Sequence, residues 1–147
     1  MLAGKKVVVV GGSSGIGLST AELATREGAE VIIASRNADR LNAAASTLGA
    51  KAMPTDVTSD ESVENLFRSC GPVDHVVVTA AQLRTGPFKT VSMEDVRATM
   101  EGKFWGAWRV ARSAEIRPAQ RPHRVRCPDR SRGQPKACRR CARSVLR

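Results

Sequence analysis

The sequence contains no tyrosine, and its aromatic residues amount to three phenylalanines and two tryptophans. Without tyrosine the chain has no phenol to serve as a proton donor or acceptor. It also has no long apolar run. Lys5-Lys6 precede only the four valines Val7–Val10 before Gly11 interrupts. That is too short for a bilayer span or for the apolar core of a signal peptide. The expectation is a soluble, cytoplasmic protein with no membrane partner. Cysteine is sparse and unevenly placed, with Cys70 alone in the body and Cys127, Cys138 and Cys141 near the end.

The charge is as uneven as the cysteines. Residues 1–116 carry 13 Lys and Arg against 13 Asp and Glu, and so are neutral. Residues 117–147 carry ten Arg, one Lys and a single acid, Asp129, which accounts for the whole net charge of +10. The chain therefore divides into a balanced body, 1–116, and a basic tail, 117–147. With 41% hydrophobic residues overall, the chain can bury a real core.

The body is organised around Val7-Val8-Val9-Val10-Gly11-Gly12-Ser13-Ser14-Gly15-Ile16-Gly17. A continuous β-branched run reads as a strand buried on both faces, as in a parallel sheet covered by helices. The glycines allow a sharp turn and close approach of a ligand, and the helix they open directs unpaired N–H groups at it. Strand, turn and helix in this order make a phosphate cradle, with Gly11, Ser13, Ser14, Gly15, Ile16 and Gly17 as its candidate residues. The plain alternative is a structural tight turn.

Helix patterns follow at 15–27, with Ile16, Thr20, Leu23 and Ala24 at helical spacing, and at 38–48. Gly28 and Gly49 are placed to end them. Strands are expected at Glu30–Ala34, Ala50–Met53 and Val73–Thr79. Thr58-Ser59-Asp60-Glu61 has the spacing of a capping box for a helix running to about Ser69. Ser92 is placed to cap a long helix to about Arg117, with Val96, Met100, Phe104 and Ala107 on one face. Alternating strands and helices specify an α/β fold, a Rossmann-like, doubly wound parallel sheet, here broken off after about four strands.

Ligands of such sheets lie beyond the carboxyl ends of the strands. Asp56 is placed to hydrogen-bond an adenine amino group, with Val57 packed on the ring; a simple turn cap is the alternative for Asp56. Ser35 and Arg36 stand where a carboxylate would grip a ribose diol. A hydroxyl and a guanidinium suit a 2′-phosphate instead, so NADP is favoured over NAD, with a solvated surface charge as the alternative for Arg36.

The glycine motif, Asp56-Val57, and a long helix ending in a Lys103-Phe104-Trp105-Gly106 turn resemble the classical short-chain dehydrogenase/reductase family over residues 1 to about 116. The resemblance implies an oxidoreductase that transfers hydride between NAD(P) and a carbonyl or alcohol. Three departures accompany it. After the fourth strand the family's Asn-Asn-Ala-Gly is Thr79-Ala80-Ala81-Gln82, where only Ala81 matches; Ala80 and Ala81 are still small enough to lie beside the adenosine. Lys103 stands where the family carries an Asn that holds a relay water, either as a divergent functional residue or as an ordinary surface lysine. The family's Tyr, the Lys four residues after it and the Ser on the preceding strand have no counterparts, so the chain as written is expected to lack the usual catalytic residues. Phe104, Trp105 and Trp108 cover more than one face of their helix. In the family that helix packs between subunits, which implies a homo-oligomer formed through 93–116; contact with missing core is the alternative.

The tail holds four prolines, and Val125, Val145 and Leu146 are its only branched aliphatics, so it is expected to be disordered. Its arginines would neutralise nucleic-acid phosphates, but no aromatic residue is interleaved for stacking, and nucleic acid is not the expected partner. His123, Cys127, Cys138 and Cys141 include one Cys-x-x-Cys pair, yet the set is no familiar zinc framework and no metal is expected. The composition fits translation out of frame instead. His123-Arg124-Val125-Arg126 can be written in codons that, displaced by one nucleotide, read Ile-Val-Phe-Val.

Overall fold

The structure, a computed structural model, describes residues 2–81 and 86–116. The element order is β1 (Lys6–Val10), α1 (Gly15–Arg26), β2 (Glu30–Ser35), α2 (Ala38–Leu48), β3 (Lys51–Pro54), α3 (Asp60–Cys70), β4 (His75–Val78) and α4 (Met93–Met100). A π-helical turn, Glu101–Trp105, follows and leads into α5 (Gly106–Ser113). The strands form one parallel sheet in the order β3-β2-β1-β4.

The valine run of β1 lies at the centre of that sheet and is covered on both sides. Val8 and Val10 pack with Ile32, Val63, Leu66, Phe67 and Val110 beneath α3 and α5. Val7 and Val9 pack with Ile33, Ala21, Ala24 and Leu41 beneath α1 and α2. Alternate side chains of one strand therefore feed two cores, which is why the run is continuous rather than alternating. Asp74 ties the start of β1 to the start of β4. Its Oδ2 accepts from the Lys6 backbone N–H at 2.8 Å, and its Oδ1 meets Lys5 Nζ at 3.3 Å.

Four expectations are corrected. In α1 the buried residues are Gly17, Ala21 and Ala24, whereas Ile16 and Leu23 are 79% and 61% exposed. Small residues face the sheet because the helix approaches it closely at Gly17. The cap of α3 is Ser59, whose hydroxyl accepts from the Ser62 N–H, and Thr58 instead bonds Asp56. The fourth strand is shorter than expected. Val73 stands apart from β4 in a parallel bridge to Ile116, its N–H donating to the Glu115 carbonyl at 2.9 Å.

The last helix ends at Ser113, and its expected apolar face is turned outward. Val96, Met100 and Phe104 are exposed, and the residues that meet the core are Gly102, Gly106 and Val110. A π-helical turn separates the residues before Glu101 from those that meet the core at Gly106 and Val110. The Gly106 N–H donates to the Glu101 carbonyl five residues back, so one extra residue rotates all that follows by about 100°.

Candidate functional site

The glycine turn between β1 and α1 is held from two sides. The Gly11 N–H donates to the Ala34 carbonyl at 2.7 Å, and the Thr79 and Ala80 N–H groups donate to the Val10 carbonyl at 2.8 and 3.0 Å. The Thr79 hydroxyl lies 3.3 Å from the Val10 carbonyl and 3.2 Å from that of Gly11. Gly11 has φ +95°, and a Cβ there would lie 2.5 Å from the Ala80 nitrogen. A Cβ at Gly17 would run into the Gly11 carbonyl and the Thr79 hydroxyl. The turn is thus packed so tightly against the end of β4 that no side chain fits between them. Ser14, the N-cap residue of α1, makes no capping hydrogen bond with its side chain, and the first turn of the helix opens on the cleft.

That cleft, about 290 Å3, lies at the carboxyl ends of the strands. It gathers Gly11, Ser13, Ser14, Ile16, Gly17, Ser35, Arg36, Val57, Ala80 and Ala81 of the expected site residues. Gly15 and Asp56 are not among its lining. Gly15 takes φ +54° at the exposed start of α1. Asp56 Oδ1 accepts from both the Thr58 N–H at 2.9 Å and the Thr58 hydroxyl at 2.8 Å, the geometry of a turn cap. Burial alone would raise the Asp56 carboxyl, but the two Thr58 bonds and the charges of Arg36 and Arg109 outweigh it and hold the group below its usual value. Lys103 is exposed on the π-helical turn and does not line the cleft.

At the β2 end, the Ser13 hydroxyl donates to that of Ser35 at 2.9 Å, joining the glycine turn to the residue before Arg36. Arg40 joins Arg36 in the lining, a residue that sequence reasoning missed. Its signal was its place one turn into α2, where Asn37 caps the helix by accepting from the Arg40 N–H at 2.9 Å. Gly102 also lines the cleft. No spacing rule reveals it, because the π-helical turn sets its direction. The site therefore offers backbone N–H groups and hydroxyls at its centre, two guanidinium groups at one end, and Val57 as an apolar wall.

Among the described residues no group of three or more His, Cys, Asp and Glu could hold a metal. The tail residues His123, Cys127, Cys138 and Cys141, and the expectations of disorder and nucleic-acid contact there, lie outside the described residues, as does Gln82. Among the described residues no helix is long and apolar enough to cross a membrane.

Comparison with known proteins agrees with this geometry. A family model described as short chain dehydrogenase matches residues 5–116. An uncharacterized oxidoreductase of Staphylococcus aureus (strain MRSA252) is 32% identical over 121 residues, 78% of this chain and 52% of that protein. A solved short chain dehydrogenase/reductase family protein superposes with TM-score 0.73 at 30% identity, covering 77% of this chain and 49% of the other. A short-chain type dehydrogenase/reductase from Mycobacterium ulcerans gives TM-score 0.73 at 28% identity, over 77% of this chain and 46% of its own. The chain spans about half the length of the relatives it matches.

Proposed function

Because the chain belongs to the short-chain dehydrogenase family, we propose that its cleft binds NADP(H) and that it represents the cofactor-holding half of an oxidoreductase acting on a carbonyl or alcohol. The observation that carries this reading is the cradle at Gly11 and Gly17. There the backbone closes against Thr79 and Ala80 with no room for a side chain, below the open first turn of α1. The pyrophosphate would be held by N–H groups of that turn and by the hydroxyls of Ser13 and Ser14. Val57 and the small residues Ala80 and Ala81 would flank the adenosine. Asp56, its Oδ1 engaged by Thr58, is assigned to shaping the loop and, through its other oxygen, to the adenine amino group.

The preference for NADP over NAD rests on Ser35, Arg36 and Arg40. Two guanidinium groups with fixed forks suit a 2′-phosphate, and among the described residues no carboxylate lines that end of the cleft to hold a ribose diol. When bound, the nicotinamide would carry the hydride. This chain's own part is to bind and orient the nucleotide. With no tyrosine in the sequence, no phenol can deliver the proton that carbonyl reduction requires, and the chain as written is expected to bind cofactor without turnover. Lys103, exposed and outside the cleft, is assigned to the surface.

Titration of the full chain with NADPH and NADH, followed by nicotinamide fluorescence, tests the reading. Arg36→Glu is expected to weaken NADPH binding by about tenfold or more, the worth of one charge-assisted contact, and to spare NADH. Equal loss for both, or no change, would remove the 2′-phosphate assignment.

A homo-oligomer through residues 93–116 belongs to the same proposal. Met93, Val96, Met100, Phe104, Trp105 and Trp108 are all exposed there. Phe104 and Trp105 pack edge to face at 4.9 Å between ring centroids, a preformed aromatic knob. Sedimentation analysis is expected to show a dimer that Trp108→Glu dissociates. A monomer at every accessible concentration would exclude it.

A further inference from the structure

We propose that Arg109 is a positioning residue of the nucleotide site, holding the Val57 wall of the cleft against the glycine face of the π-helical turn. The inference rests on the NADP reading above. From α5, the Arg109 guanidinium reaches three separate segments. Its Nη2 meets Glu101 Oε1 at 2.6 Å, at the first residue of the π-helical turn. Its Nε faces Asp60 Oδ2 at 3.4 Å, at the first residue of α3. Its Nη1 donates to the Val57 carbonyl at 3.5 Å, at the long end of hydrogen-bonding range. A planar, always-charged fork can satisfy three acceptors in one fixed arrangement, which a lysine cannot.

What the guanidinium holds together is two pieces of the cleft wall. Val57 is 7% exposed and lines the cleft, and Gly102 lines it from the π-helical turn. Between them Gly106 lies so close that a Cβ there would be 2.9 Å from Val57 Cγ2. Only the absence of a side chain at Gly106 permits this contact, and Arg109, one turn further along α5, fastens it. Arg112 also meets Asp60, at 3.2 Å, but both partners are more than half exposed, so that pair adds little. The Arg109 side chain is 18% exposed and its contact with Glu101 is the shortest of the group. The hydrogen bond to the Glu101 carboxylate raises the Arg109 pKa further, which favours the charged guanidinium of this clamp.

The test uses the full chain and the variants Arg109→Met and Glu101→Gln, titrated with NADPH and NADH. Both variants are expected to weaken both nucleotides by about tenfold, because the adenosine wall is common to them. The NADPH:NADH preference should stay within about twofold of the parent, unlike in Arg36→Glu. Arg109→Lys is expected to recover only part of the loss. Should Arg109→Met fail to fold, Glu101→Gln, which keeps the guanidinium, decides the matter. Parent-like affinity in a folded variant, or a changed preference, would overturn the proposal. A separate readout needs no nucleotide. In the free protein the Val57 methyl resonances should shift or broaden in Arg109→Met, and unchanged resonances would equally overturn it. If the parent binds neither nucleotide, the NADP reading fails, and the methyl spectrum still judges the clamp.

Discussion

At the scale of single residues, the glycine turn works through what it leaves out. Gly17→Ala would drive a methyl group into the Gly11 carbonyl and the Thr79 hydroxyl, and overpacking of this kind costs about 1–3 kcal/mol. A lower unfolding midpoint in denaturant is the expected outcome, and an unchanged midpoint would show that the turn has slack. Asp56 gives a prediction in pH. Its carboxyl is held below the ordinary value of 3.8, so the unfolded chain takes up its proton at higher pH than the folded one does. The Asp56 contribution is therefore complete above about pH 4 and is lost as the pH falls through the folded value. Acid titrations of stability should show Asp56→Asn losing part of the dependence below about pH 4. A parent-like acid limb in the variant would contradict the Thr58 cap.

Much at this scale could be read from the sequence. Gly11, Gly17, Ser35, Arg36 and Val57 fall where strand ends put them, and the structure gathers them into one cleft. Asp56 could not be settled that way. Whether a carboxylate caps its own turn, faces a ligand or does both depends on which of its oxygens the neighbouring groups engage, and Thr58 engages Oδ1.

At the scale of elements, alternation and caps made the sheet and its first three helices legible. Gly49, at φ +64°, ends α2 where it was expected. The side chains of α1 were harder to read. Amphipathic spacing favours large residues, whereas a helix that must approach a glycine turn buries Ala21 and Ala24 and leaves Leu23 outside. The last helix shows a second physical limit. Periodicity assumes 3.6 residues per turn throughout, and the π-helical turn at Glu101–Trp105 breaks that count, so the face that meets the core at Gly106 and Val110 does not continue that of Val96 and Met100, which are exposed. In α3 the amphipathic rule holds, with Val63, Leu66 and Phe67 buried. Leu66→Ala is expected to cost about 2–5 kcal/mol, read as a fall in denaturation midpoint, and a loss below that range would mean that the core beneath α3 closes over the cavity.

At the scale of the whole molecule, β4 forms one edge of the sheet among the described residues. Beside it runs an apolar groove of about 690 Å3, lined by Val76, Val77 and Val78, by Leu23 of α1, by Val110 of α5 and by Ala114 just after it. Val73 and Ile116 form an isolated parallel bridge at one end of this edge, immediately before the composition turns to arginine and proline. An uncovered, β-branched edge is prone to pair with other chains. Val77→Lys is expected to lower light scattering on concentration, and scattering equal to the parent's would place the cause elsewhere. From its composition, we propose that residues 117–147 are an out-of-frame segment. The coding DNA tests it directly, since a displaced frame should write an apolar strand at about residues 123–126 followed by a serine and a helix, and a displaced frame without them would refute the idea.

The central claim, that the glycine turn forms the floor of a nucleotide site, is tested most directly by calorimetric titration of the full chain and of Gly17→Ala with NADP(H). The expected result is one saturable site in the parent and none in the variant under conditions where both remain folded. A folded parent that takes up no nucleotide, or a folded Gly17→Ala that binds as the parent does, would contradict it.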